Sequence, residues 1–73
     1  MTKEEFLVQM QDVLQTETEL KADTVLDELE EWDSLAIMAT MAFLDKHFGV
    51  KMKLYDFREL NTMGDLMSRV QLA

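Results

Sequence analysis

Between Leu35 and Leu44 every residue except Thr40 is apolar, in a run preceded by Asp33-Ser34 and followed within five residues by Gly49. At ten residues it falls far short of the roughly 20 needed to span a membrane. Asp33 is a favoured N-cap, and Gly49 stands where a helix end wants a residue at positive φ, so the spacing predicts a helix from Ser34 to about Phe48. On a wheel with Ser34 at 0°, Ile37, Met41, Leu44 and Phe48 fall between about 280° and 340° and form the expected core stripe. Leu35, Ala39, Ala42 and Phe43 lie between roughly 80° and 180°, with Met38 near 40°, where a water-covered helix would be polar. Charge enters only in the last turn, at Asp45 and Lys46, followed by His47. A helix apolar all round is normally enclosed on all sides, and the few short helices available here cannot do that. Part of the second face is therefore expected to be exposed as a partner surface. The plainer reading makes this the central helix, with Leu35 and Phe43 touching the preceding loop.

The rest of the chain reads as helical too. It contains no proline, two glycines and no cysteine. Few tight turns follow from the first two counts; the third excludes disulfides, a thiolate nucleophile and Cys-based zinc sites. A single histidine excludes a multi-His metal site, and no metal is expected. Thr2 with Glu5 is a capping-box pattern, opening a helix that carries Phe6, Leu7, Met10, Val13 and Leu14 on one side and ends near Leu14. From Gln15 to Asp33 the pattern is irregular, a loop expected to pack Leu26 and Leu29 on the core with room for a helical turn. A short helix is predicted at Tyr55–Leu60, with Phe57 and Leu60 inward. Thr62 with Asp65 then opens a last helix carrying Met63, Leu66, Met67 and Val70, with Gly64 in its first turn, where glycine costs little. The expectation is one all-α domain over residues 1–73: an antiparallel four-helix bundle with a long first loop, three longer helices and a short third one.

Seven basic against fifteen acidic residues leave a net charge of −8, which repels nucleic-acid backbones and excludes them as partners. Residues 1–31 hold ten acids and two bases, whereas residues 32–73 are balanced at five each, so the excess lies in the first helix and its loop. A calcium-loop reading of those acids fails: counting from Asp23, the third position is Val25 and the required glycine is Glu28. The N-terminal Met-Thr-Lys-Glu-Glu has no apolar signal segment, and the expectation is a small cytoplasmic module with no membrane span.

Ser34 follows the cap residue directly, at a helix N-terminus where unpaired N–H groups and the macrodipole favour an added phosphate or phosphodiester. As a nucleophile it would need a base within hydrogen-bond reach. The only histidine, His47, is thirteen positions further along the same helix, about 20 Å away at 1.5 Å per residue. No catalytic apparatus of the chain's own is expected.

Asp33-Ser34-Leu35 at the head of an apolar helix, with His47-Phe48-Gly49-Val50 at its end and Asn61-Thr62-Met63-Gly64-Asp65-Leu66 opening the last helix, resembles the acyl carrier proteins and related phosphopantetheine-carrying domains. The resemblance covers nearly the whole chain. It implies that a phosphopantetheinyl transferase moves 4'-phosphopantetheine from coenzyme A onto Ser34, with Mg2+ needed only in the transferase complex. The arm's thiol, absent from the chain itself, would then carry an acyl or aminoacyl group as a thioester. Asp33 would cap the helix and orient the transferase complex, and Leu35 would enter a small apolar pocket on partner enzymes. Those partners are an acyl-loading or ligase enzyme and a downstream acyltransferase or synthase of a specialised pathway for lipid or secondary-metabolite biosynthesis. A cargo pocket would open between the second and third helices near Met41, Leu44, Leu54 and Phe57. The sequence departs from carriers of fatty-acid synthesis at Glu31-Trp32, where glycine usually stands two places before the aspartate, and at the outer positions Ala36, Ala39 and Lys46, which are usually acidic. The expected docking surface is therefore Leu35, Met38, Ala39 and Ala42, edged by loop carboxylates such as Glu30 and Glu31. Trp32 is read as a loop anchor. The alternative is a non-covalent helical adaptor that binds partners through the same apolar face and never modifies Ser34.

Overall fold

The computed structural model describes all of residues 1–73 and contains four α-helices and no strand. Helix α1 spans Lys3–Leu14, α2 Ser34–Phe48, α3 Leu54–Phe57 and α4 Met63–Met67, with one turn of 3₁₀ helix at Leu26–Glu28 inside the first loop. The first two helices begin and end where their local signals place them. Thr2 accepts the Glu5 amide at 3.1 Å while the Glu5 carboxylate accepts the Thr2 amide at 2.9 Å, the reciprocal pair of a capping box. Asp33 accepts the Ala36 amide at 2.9 Å to start α2. At the other end Gly49 adopts φ 67°, which lets its amide return to the Asp45 carbonyl at 2.9 Å.

The last two helices are shorter than their patterns suggest. The third lies at Leu54–Phe57 rather than Tyr55–Leu60, although Phe57 and Leu60 are both buried as predicted. The fourth stops at Met67, so Val70 reaches the core from outside the helix and the molecule has two long helices and two short ones. Apolar spacing marks which residues turn inward; it does not require that the backbone stay helical between them.

The core is built from Phe6, Met10 and Leu14 of α1, Leu20 and Leu26 of the loop, Phe43 and Leu44 of α2, Phe57, Leu60, and Met63 and Leu66 of α4. Phe6 lies with its ring centre 5.9 Å from both Phe43 and Phe48, so the first turns of α1 meet the last turns of α2. Val13 and Leu14 correspondingly share a groove with Leu35, Ala36 and Ala39, where the end of α1 meets the start of α2. This packing turns α2 by roughly 80° from the predicted wheel: its buried residues are Ala36, Thr40, Phe43 and Leu44. Ile37, Met41 and Phe48 are only partly buried against the core. Ala36, expected on the outer side, is therefore inside, and Phe43 belongs to the core and not to the second face. Thr40 is tolerated there because its hydroxyl donates to the Ala36 carbonyl at 2.8 Å.

The long first loop is tied down through its backbone. Leu26 donates to the Asn61 carbonyl at 2.9 Å, Met63 to Thr24 at 2.9 Å and Gly64 to Ala22 at 2.7 Å, around an isolated antiparallel bridge between Val25 and Thr62. These bonds satisfy peptide groups that the irregular loop would otherwise leave unpaired, and they fix the loop against the start of α4.

Candidate functional site

Ser34 is the first residue of α2 and is exposed. Its hydroxyl is free of the capping interaction, because Asp33 supplies the acceptor for the Ala36 amide. The cap residue holds the helix start, and Ser34 takes no part in it. No acidic side chain occupies the first turn of α2, while Lys46 and His47 occupy its last turn, so the helix dipole at Ser34 meets no carboxylate within the helix.

Ser34 stands beside two depressions. One, of about 370 Å³, is lined by Asp27, Trp32, Asp33, Ser34, Ile37, Leu54, Phe57 and Arg58 and separates the start of α2 from α3. Trp32, Ile37, Leu54 and Phe57 give it an apolar part, with the Trp32 and Phe57 ring centres 6.1 Å apart, and Asp27 and Arg58 are the charged groups outside the Asp33-Ser34 pair. This cleft lies between the second and third helices, where a cargo opening was expected, and of the residues named for it includes Leu54 and Phe57 but not Met41 or Leu44. Leu44 is fully buried in the core, where the wheel placed it, and Met41 is partly buried against it. Trp32, read as a loop anchor, packs on Phe57 and also lines the depression next to Ser34. The second depression, of about 360 Å³, lies between α1 and α2 and is bordered by Glu31, Asp33, Leu35 and Ala39.

The candidate docking residues gather on one side. Leu35 is 76% and Met38 59% exposed, and Ala39 and Ala42 are exposed beside them, as predicted from the wheel. Glu31, half-buried, borders the same groove as Leu35 and Ala39, while Glu30 is exposed in the loop before α2 and lines a separate depression with Asp23 and Glu28. Leu54 of α3, 56% exposed and expected at the cargo pocket, lines the cleft that contains Ser34, and Tyr55 beside it, 60% exposed, adds apolar surface that the sequence reading did not assign. Arg58 was also missed. No local pattern marks it, because the cleft brings it to Ser34 from a distant stretch of the sequence.

The residues present suit a group attached through a phosphodiester: a free hydroxyl at a helix start, an adjacent cleft with aliphatic and aromatic walls, and a cation within that cleft. No helix is long and apolar enough to cross a membrane. A family model described as phosphopantetheine attachment site matches residues 4–70. No curated protein and no solved structure is significantly similar to the chain.

Proposed function

The chain belongs to the phosphopantetheine attachment-site family, and on that premise we propose that it is an acyl or aminoacyl carrier loaded at Ser34. The family carries covalently attached 4'-phosphopantetheine, and its domains are generally non-catalytic carriers that work with transferases and biosynthetic enzymes. The observation that carries the residue assignment is the exposed Ser34 hydroxyl, left free by the Asp33 cap at the head of a 15-residue helix and opening on the cleft towards α3. When attached, the group supplies the terminal thiol that holds cargo as a thioester, a function that no side chain of this cysteine-free sequence can perform.

The chain's own residues then have separate tasks. Asp33 fixes the start of α2 and so the direction of the Ser34 side chain. Trp32, Ile37, Leu54 and Phe57 provide apolar wall against which a tethered arm can rest. Leu35, Met38, Ala39 and Ala42 offer docking surface to a phosphopantetheinyl transferase, an acyl-loading ligase and a downstream acyltransferase or synthase, with Glu30 and Glu31 as the acidic rim. We read residues 1–73 as one domain and the α1–α2 contacts, end to start and start to end, as the antiparallel bundle of an acyl carrier protein. A cytoplasmic carrier in a specialised pathway is the setting these features suit best.

The test is intact mass after incubation with coenzyme A, Mg2+ and a broad-specificity phosphopantetheinyl transferase, with Ser34→Ala in parallel. A gain of one phosphopantetheine in the parent and none in the variant supports the carrier. A folded parent that no transferase modifies, a dedicated one included, would leave the non-covalent adaptor, which needs the apolar α2 face but not the hydroxyl.

A further inference from the structure

We infer that Arg58 holds the phosphodiester of the arm attached at Ser34. The inference rests on the assignment of Ser34 as the attachment residue and adds a residue to that site. Attachment places a monoanionic phosphodiester on the Ser34 oxygen, in a neighbourhood rich in carboxylates: Asp33 beside it, Asp27 in the same cleft, and Glu30 and Glu31 one turn before. Repulsion from those groups would push the phosphate, and the arm with it, out into solvent. Arg58 is the one cation lining the cleft that contains Ser34.

Its charge is also uncommitted. Lys51 pairs with Asp45 at 3.0 Å and Arg69 with Glu59 at 3.8 Å, but no carboxylate lies within ion-pair distance of Arg58, Asp27 and Asp33 included. The backbone that carries it is well placed. Arg58 ends α3 directly after Phe57, which is buried and packed on Trp32, the residue two before Ser34. The guanidinium therefore projects from a fixed point on the wall opposite Ser34, and its planar fork of N–H donors matches two oxygens of a phosphodiester. An arm anchored near its root in this way would leave its far end, with the thiol and cargo, free to enter a partner enzyme.

The experiment compares the full chain before and after loading, with loading verified by intact mass. The probes are the phosphodiester 31P resonance and the Arg58 Nε–Hε resonance of the parent, together with the 31P resonance of Arg58→Gln and Arg58→Lys. Contact predicts that the Arg58 side-chain resonance shifts on loading. It also predicts that Arg58→Gln moves the 31P resonance towards its position in the urea-unfolded loaded protein, with Arg58→Lys in between. Far-UV circular dichroism checks the variants' fold, and the parent's side-chain shift stands without any variant. Verified loading with an unmoved Arg58 resonance, or with a 31P resonance unchanged in folded Arg58→Gln, overturns the contact and leaves Ser34 attachment intact. A folded parent that gains no mass overturns the attachment, and the contact falls with it.

Discussion

The amide of Gly64 donates to the carbonyl of Ala22 at 2.7 Å, and a Cβ at position 64 would lie 2.9 Å from that same oxygen. Glycine is required here because two backbones approach too closely for a side chain, which is a different requirement from that at Gly49. There a Cβ would meet nothing within 4 Å, and only the φ of 67° disfavours other residues. Gly64→Ala is therefore expected to cost about 1–3 kcal/mol by forcing the loop from α4, and Gly49→Ala about 1 kcal/mol through backbone conformation alone. Urea unfolding of both variants checks the order. A harmless Gly64→Ala would contradict the close approach.

Removing the α2 cap separates stability from attachment. Asp33→Ala is expected to lower stability by about 0.5–2 kcal/mol, whereas Asp33→Asn, which retains an acceptor for the Ala36 amide, should lose much less. Chemical denaturation provides the measurement, and equal losses in the two variants would mean that Asp33 acts through its charge and not as a cap. Ser34→Ala, beside it, is expected to unfold with the parent.

Two carboxylates give the domain an acid limit. The Glu5 carboxyl is held below its usual range first by the Thr2 backbone amide, and the Asp65 carboxyl first by the Asn61 amide and then by that of Thr62. Each binds fewer protons folded than unfolded, so its contribution is complete above the ordinary carboxylate range and is lost as pH falls through the lowered folded value. Thermal melts between about pH 5 and pH 2 are expected to show falling stability, and Asp65→Asn, which cannot titrate, a shallower fall. An unchanged slope in that variant would exclude the Asp65 linkage.

The core and the docking face are predicted to respond oppositely to truncation. Phe6 is fully buried between Phe43 and Phe48, and Phe6→Ala is expected to cost about 3–5 kcal/mol. That is comparable to the whole stability that a domain of this size commonly has, so the variant should be largely unfolded. Leu35→Ala removes a side chain that is 76% exposed and should change stability by no more than about 0.5 kcal/mol. Its effect is expected instead as a lower kcat/KM for loading by the transferase, measured from the rate of mass gain. Full loading efficiency in Leu35→Ala would remove that residue from the docking surface.

What the sequence made legible was set by distance along the chain. Thr2 with Glu5, Asp33 with Ala36, and Gly49 with Asp45 each interact within four residues, and the bounds of α1 and α2 follow from them. The exposure of Leu35, Met38, Ala39 and Ala42 was legible for the same reason, since one helical period places them together. The inward turn of Ala36 and Phe43 was not, because α1 decides which side of an all-apolar helix is covered. The early end of α4 escaped notice because Val70 keeps the helical spacing without the helix. Arg58 and Gly64 depend on partners far away in sequence, Ser34 and Ala22, and nothing local to either residue announces them.

The backbone bonds from the first loop to the start of α4 join segments roughly forty residues apart, and closing a loop of that length must precede any return from the contacts it brings. Small helical bundles fold fast because most of their contacts are local, and this clasp is a non-local exception. If it forms in the transition state, Gly64→Ala should slow refolding while leaving the unfolding rate nearly unchanged. If it closes last, the same substitution should speed unfolding instead. The three backbone hydrogen bonds that organise the first loop are then also a place where topology sets the tempo of folding.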